Sequence, residues 1–360
     1  MHMADALLSP AVGGIMWAVS AGTIALGSAQ LRREQDDRQA SLMGVLGAFL
    51  FAAQMINFSI PGTGSSGHLG GGLLLAVLLG PSASFLTIAS VLVVQALFFA
   101  DGGLLALGCN IFNLGVIPSF LVYPFLYRVL SKGGISKGDR HLAEPVPGGA
   151  PGKWRETAAV MISALVAMQL GSLAVVLETG LSGISSLPLE RFLLLMQPIH
   201  LAIGAVEGAV TVAILSFVRK ARPELLRRAP AGNAWRSRFA VLLAFLVIAL
   251  VTGGFLSQLA SKNPDGLEWS LSKAGGKVAA PGAGEGVHGL LAQLQEKSAW
   301  FPDYAVKRAA PRPLPRGAGA LPDAASAVPG VVGTILTLAL VCVAGALLKK
   351  GKERVETPDA

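Results

Sequence analysis

Apolar residues in this chain fall into long runs separated by short polar or charged stretches. About 20 apolar residues is the length an α-helix needs to cross the hydrocarbon core of a bilayer. On that measure the pattern predicts spans near 10–31, 41–60, 70–80, 82–99, 104–130, 157–178, 191–218, 239–257 and 328–348. Asp5, Ser9 and Pro10 are start signals for the first helix. Gly80-Pro81-Ser82 divides a short third helix from the fourth. The stretch Pro61–Gly72 holds too many glycines for a stable helix and reads as a loop. The fold class expected is an all-α polytopic membrane protein of about nine transmembrane helices.

Composition and charge sharpen this picture. Of 360 residues, 52% are hydrophobic and only 14% charged, with a net charge of +8. The basic residues gather at the ends of apolar runs, which is the pattern of cytoplasmic loops and not of a nucleic-acid surface. Arg32, Arg33 and Arg38 place the first turn in the cytoplasm, so the N-terminus is expected outside; Lys349, Lys350, Lys352 and Arg354 place the C-terminus inside. The inner loop 131–155 carries a solvated His141, and the basic run 219–238 reads as a module boundary. An outer segment, 258–327, holds eight basic residues, but long loops are exempt from the charge rule. Within it, 285–299 reads as a short amphipathic helix and Asn263-Pro264-Asp265-Gly266 as a turn. Cys109 and Cys342 lie in apolar runs and read as small buried hydrophobes. Ala18, Ala21, Gly22, Ala25 and Ala29 make a small-residue face suited to close helix contact, within the protein or with a partner subunit.

The candidate chemistry begins at Met1-His2. The first apolar run has no basic segment before it, so no cleaved leader is expected and Met1 is the expected mature terminus. The α-amine of Met1, the amide nitrogen of His2 and the His2 ring lie at chelating distance. The loop histidine, His68, is placed on the same side of the membrane and offers a fourth nitrogen. Square-planar nitrogen ligation suits Cu²⁺ and Ni²⁺, a Co²⁺ ion could be held the same way, and the oxygen-seeking Mg²⁺ and Ca²⁺ are not expected; Ni²⁺ or Co²⁺ is a choice among these and not a deduction. Asp5 is close enough in sequence to orient His2 or the amine. Asn57 and Gln54 need polar partners inside a bundle. Asn110 and Asn113 share a helix face and either join helices or donate to a site. His200 and Glu207, two turns apart on one helix, either pair with nearby amides or serve a proton-linked or metal-supporting role. There is no P-loop, HExxH or GxSxG, so ATP hydrolysis and the corresponding enzyme classes are not expected of this chain.

Taken in order, Met1-His2-x-x-Asp5-x-x-Leu8-Ser9-Pro10, Asn57 with Gly67-His68, Gly108-x-Asn110-x-Phe112-Asn113 and His200-x-x-Ile203-Gly204-x-x-Glu207 resemble the substrate-binding (S) component of nickel/cobalt energy-coupling factor transporters, the CbiM/NikM family. Asn263-Pro264-Asp265-Gly266-Leu267-Glu268 and Phe301-Pro302-Asp303-Tyr304 resemble the PDGLE (NikN-like) domain, a two-span auxiliary unit. The resemblance implies an S component at 1–222, a basic cytoplasmic linker at 223–236 and the auxiliary domain at 237–350, with seven and two spans respectively. It implies metal ligands at Met1, His2 and His68, and a transmembrane coupling (T) protein and two ABC ATPases as partners. It implies import of nickel, or cobalt, across a bacterial cytoplasmic (inner) membrane, with no catalytic cofactor. Met3-Ala4 and Ala6 depart from the family's commoner Ile-Pro and Gly without removing a ligand. A self-sufficient proton-coupled metal carrier using His200 and Glu207 is the competing reading, and a membrane enzyme of metal-cofactor synthesis a third.

Overall fold

A computed structural model describes residues 2–33, 39–132, 153–221, 235–275, 286–306 and 324–356. Met1, the acidic residues of the first turn, most of the inner loop with His141, most of the basic linker, and parts of the outer segment lie outside the described residues. The helices are α1 (Pro10–Arg33), α2 (Gln39–Gln54), α3 (Gly72–Leu79), α4 (Pro81–Phe99), α5 (Leu107–Ile111), α6 (Arg128–Lys132), α7 (Lys153–Ser182), α8 (Leu189–Ala221), α9 (Trp235–Gly254), α10 (Gly266–Ala274), α11 (Val287–Ser298) and α12 (Ala324–Glu356). Among the described residues six helices are long and apolar enough to cross a membrane, and Gln39–Gln54 and Leu242–Gly254 are shorter apolar helices. The chain is a multi-pass membrane protein.

Between α5 and α6 the backbone winds as a wider π-helix over Phe112–Tyr127, with Pro118 and Pro124 inside it. Proline lacks an N–H and crowds the carbonyl one turn back, so a regular α-helix would be broken there. The wider winding carries the span through both prolines.

The helix α2 ends at Gln54, six residues short of the expected span, because Phe58–Ile60 (β1) pairs antiparallel with Ser65–Gly67 (β2). The turn between the strands needs Gly62 and Gly64 at φ of 76° and 74°, a region that L side chains avoid. Asn57 therefore stands outside the helix, half-buried, with its carbonyl accepting the amide of Ser261 at 2.7 Å.

Eight residues of α3 rise about 12 Å, less than half a bilayer core. Yet two glutamines of α2 pin both ends of the stretch beside it. Gln54 Nε2 donates to the Gly70 carbonyl at 3.0 Å, and Gln39 Nε2 donates to that of Leu79 at 2.9 Å. The non-helical residues 68–71 and the short helix together lie along α2 between these two bonds.

The C-terminal pair, α9 and α12, packs against α2 and against each other. On α2, Gly47 faces Thr337 and Val341, and Gly44 faces Leu338 and Cys342. Where α9 crosses α12, a Cβ on Gly330 would fall inside the carbonyl of Gly253. Small residues at such crossings let helix backbones touch where no hydrophobic force drives them together. The intervening segment returns over the same end of the bundle as the hairpin: α10 packs on α8, and α11 on α4. Gly330→Leu should force the two backbones apart and destabilise the protein by about 1–3 kcal/mol. A lowered melting temperature of the purified protein in detergent would register it.

Candidate metal centre

Burial fixes the N-terminal segment first. Met3, Leu7 and Leu8 are fully buried in the core. Inside an apolar bundle the Met3 main chain needs partners, and Asn110 supplies two. Its Oδ1 accepts from the Met3 amide at 2.8 Å, and its Nδ2 donates to the Met3 carbonyl at 3.3 Å. That carbonyl also accepts from the Gly103 amide at 2.9 Å. His2 is thus one residue from a firmly held point.

The second histidine arrives on the hairpin. Just past β2 the chain stays extended, and its exposed main-chain groups are met by Glu207 of α8. The Glu207 carboxylate accepts from the amides of Gly70 at 2.8 Å and Gly71 at 3.1 Å. With Gln54 on the Gly70 carbonyl, the segment after His68 is held on both edges. His68 is buried, and its Nδ1 lies 3.1 Å from the Leu69 carbonyl. Donation from Nδ1 to that carbonyl leaves the Nε2 lone pair for another partner.

These two anchors bring the imidazoles of His2 and His68 together, with ring centroids 5.0 Å apart and planes within 8° of parallel. Beside His68 a small cavity is walled by Gly67, Gly70, Leu114, Met168, Ile203, Asp265 and Gly266. Burial, followed by the positive amino terminus and the His2 ring, holds the His68 ring down at about 3. It is therefore a neutral lone-pair donor at neutral pH.

A carboxylate meets His2, and it belongs to Asp101. Asp101 Oδ1 lies 3.0 Å from His2 Nδ1, and Oδ2 accepts the Tyr304 hydroxyl at 2.6 Å. Burial opposes the Asp101 charge, but His2 and the Tyr304 hydroxyl together keep its carboxyl well below the usual range. His2 Nε2 is buried and has no hydrogen-bond partner among the described residues.

The C-terminal segment closes over this arrangement. The Ser66 amide and hydroxyl donate to the Pro264 and Asn263 carbonyls, each at 2.8 Å, and the Trp269 indole donates to the Thr63 carbonyl at 2.9 Å. Asp265 caps α10 by accepting the Glu268 amide at 2.8 Å, while Glu268 reaches back to the Asp265 amide. This capping box sets the adjoining Gly266 against Ile199 and His200. Burial works against ionising Asp265; the positive amino terminus, its bond from Glu268 and the His68 ring outweigh it and keep the carboxyl low.

Among the residues singled out in the sequence, Asp5 does not reach His2. Its Oδ1 accepts the Ala106 amide at 2.9 Å and so ties down the 104–106 loop. Asn113 donates to Glu178 at 2.8 Å, one turn beyond Asn110. His200 Nδ1 lies 2.8 Å from the Met196 carbonyl, so His200 and Glu207 share a buried face but have separate partners. Neither Asp101 nor Tyr304 stands among the candidate site residues of the sequence, although Tyr304 falls in the stretch that resembles the PDGLE domain. Asp101 is the single acid between residues 41 and 130, which was the available signal. Among the described residues no three His, Cys, Asp or Glu side chains form a metal-holding group. A four-nitrogen site here therefore needs main-chain nitrogen as well as the two rings.

Comparison with known proteins places this architecture. The profile described as the cobalt uptake substrate-specific transmembrane region, CbiM, matches residues 2–225, and the PDGLE domain profile matches residues 239–350. The fused nickel transport protein NikMN of Rhodobacter capsulatus is 30% identical, with 85% of this chain and 88% of that protein covered. The cobalt transport protein CbiM of Sorangium cellulosum is 30% identical over 63% of this chain and 95% of its own length. A crystal structure of a truncated transition-metal transporter matches with a TM-score of 0.50 and 26% identity, over 61% of this chain and 99% of that one. The bundle that carries both histidines is thus shared with proteins named for nickel and cobalt transport, and the chain belongs to the CbiM family, with a PDGLE domain following in the same polypeptide.

Proposed function

We propose that this chain is the substrate-capturing S component of an energy-coupling factor transporter that imports nickel, or alternatively cobalt. The observation that carries the reading is the pairing of two buried, parallel imidazoles from His2 and His68 at 5.0 Å. A metal with nitrogen bonds of about 2.0–2.1 Å would take one nitrogen from each ring at two corners of a square plane, which the stacked rings reach by turning about their side-chain torsions. The Met1 amine and the His2 amide nitrogen fill the other two corners. An ionised amide among four nitrogens favours planar Ni²⁺.

Loading is a sequence of exchanges. The aquated ion enters at the hairpin end and sheds water, while the amine and the amide release protons. His2 Nδ1 is the ring atom that closes a six-membered chelate with its own amide, so it leaves Asp101 for the metal. The hairpin and the 263–269 segment then cover the ion. Residues 1–222 form the S component, 223–236 the linker and 237–350 the auxiliary domain, with the hairpin end outside. A T protein and ABC ATPases supply the motion that empties the site inward. Ala18, Ala21, Gly22 and Ala25 are exposed on α1, which offers the T protein a close-packing face.

Three outcomes follow. His2→Ala and His68→Ala should each weaken Ni²⁺ binding to the purified protein at least about a hundredfold, as the loss of one of four ligands in a chelate requires. Calorimetric titration measures it, alongside mass spectrometry showing an intact, unformylated Met1; binding that survives in His68→Ala would sink the assignment. Affinity should fall at least about tenfold per pH unit on acidification, because protons leave the amine and amide on loading. His68 adds nothing to that slope near neutrality, since it is already neutral there. Glu207→Ala strands two buried amides at about 1–3 kcal/mol each. It should weaken metal binding and raise hydrogen exchange at Gly70 and Gly71 by the corresponding factor.

A further inference from the structure

Tyr304 belongs to the C-terminal module, yet its hydroxyl ends on a carboxylate that touches His2. The Tyr304 bond to Asp101 Oδ2 is 2.6 Å, and Asp101 Oδ1 is 3.0 Å from His2 Nδ1. The backbone on both sides of this link is strained. Among the described residues the non-glycine positions with positive φ are Ala100 at 52°, Asp303 at 50° and Tyr304 at 57°. All three adjoin the one hydrogen bond. Strain of this kind persists where the surroundings over-determine it, and it concentrates at functional sites.

The surroundings are visible. The Phe301 amide donates to the Phe98 carbonyl at 3.0 Å, and the Tyr304 ring stacks on Phe99 at 4.9 Å. From α11, Gln295 Nε2 donates to the carbonyls of Ala96 at 3.0 Å and Gly102 at 2.7 Å, on either side of Asp101. The module thus grips the turn that carries Asp101 as well as the carboxylate itself.

Resting on the metal-capture reading above, we propose that Asp101, braced by Tyr304 of the C-terminal module, is a positioning pair that parks the His2 ring beside His68 and yields its Nδ1 to the incoming divalent metal. Asp101 occupies the atom that the chelate needs, while His2 Nε2 has no hydrogen-bond partner among the described residues. The Asp101 side chain is 25% exposed, so without its brace it can turn to water. Capture is then a competition between one hydrogen bond to a charged group and the metal, and removing the competitor speeds loading by about tenfold.

The test uses the purified full-length protein with Ni²⁺ as the probe. Stopped-flow absorbance gives the association rate, titration gives the affinity, and the visible absorption band reports the loaded ligand set. Asp101→Ala should load about tenfold faster and bind more tightly, with the loaded band unchanged. Tyr304→Phe keeps the ring stacked on Phe99 and removes one oxygen; it should shift both quantities the same way, by about threefold. If Asp101→Ala fails to fold, Tyr304→Phe carries the test alone. Slower or weaker binding, a shifted band or parental rates would overturn the proposal. His68→Ala, run in parallel, separates the two levels. Ni²⁺ binding retained in His68→Ala defeats the metal site itself; binding lost there, with parental rates in the other variants, defeats only the parking role.

Discussion

A stretch of non-helical main chain buried among apolar helices has to find partners for its amides and carbonyls, and that constraint governs this molecule. Water is absent from a bilayer core, so an unpaired group costs several kcal/mol. Residues 68–71 are such a stretch. Glu207 takes the two glycine amides and Gln54 takes a carbonyl, while Gln95 donates to Gln54 Oε1 at 2.9 Å. Gln54 of α2, backed by Gln95 of α4, and Glu207 of α8 let this segment enter the bundle. His68 rides on that loop.

The same need explains why the C-terminal module sits where it does. The hairpin presents β2 with an unpaired edge, and the main chain at 263–264 pairs with it through Ser66. Sheet edges left open inside a membrane protein are not tolerated unless something covers them. In this chain the cover is supplied by a second family domain that is anchored on α2 by α9 and α12. The start of the capped α10 and the hairpin, with Leu114, Met168 and Ile203 of the first module, wall the cavity beside His68.

Much of this was legible from residue order. The apolar runs gave the helices, and the glycine-rich stretch, the N-terminal histidine and the PDGLE signature pointed to one end of the molecule. The sequence misled where local signals compete. Asn57 looked like part of a 20-residue span, but the glycine turn at 62–64 creates a hairpin that draws β1 out of the helix. Asp5 looked like the partner of His2 because it is near in sequence; a helical turn at Asp5–Leu7 points it instead at the 104–106 loop. Asp101 and Tyr304 lie 99 and 302 residues from His2, and no periodicity connects them. Contacts set by tertiary packing between two modules leave no local trace.

What results is a graded rigidity along the first few residues. Met3 is fully buried; its amide donates to Asn110, and its carbonyl accepts from Asn110 and Gly103. His2, one residue earlier, is held by a single partly exposed carboxylate. On the proposed metal-capture reading, that contrast suits a site that both seizes an ion and releases it. Fixed scaffolding holds His68 and the chain from Met3 onward, while His2 is the ring whose protein partner the proposed ion would displace. The three left-handed residues, Ala100, Asp303 and Tyr304, flank the Asp101–Tyr304 hydrogen bond, at the turn that would carry the proposed exchange.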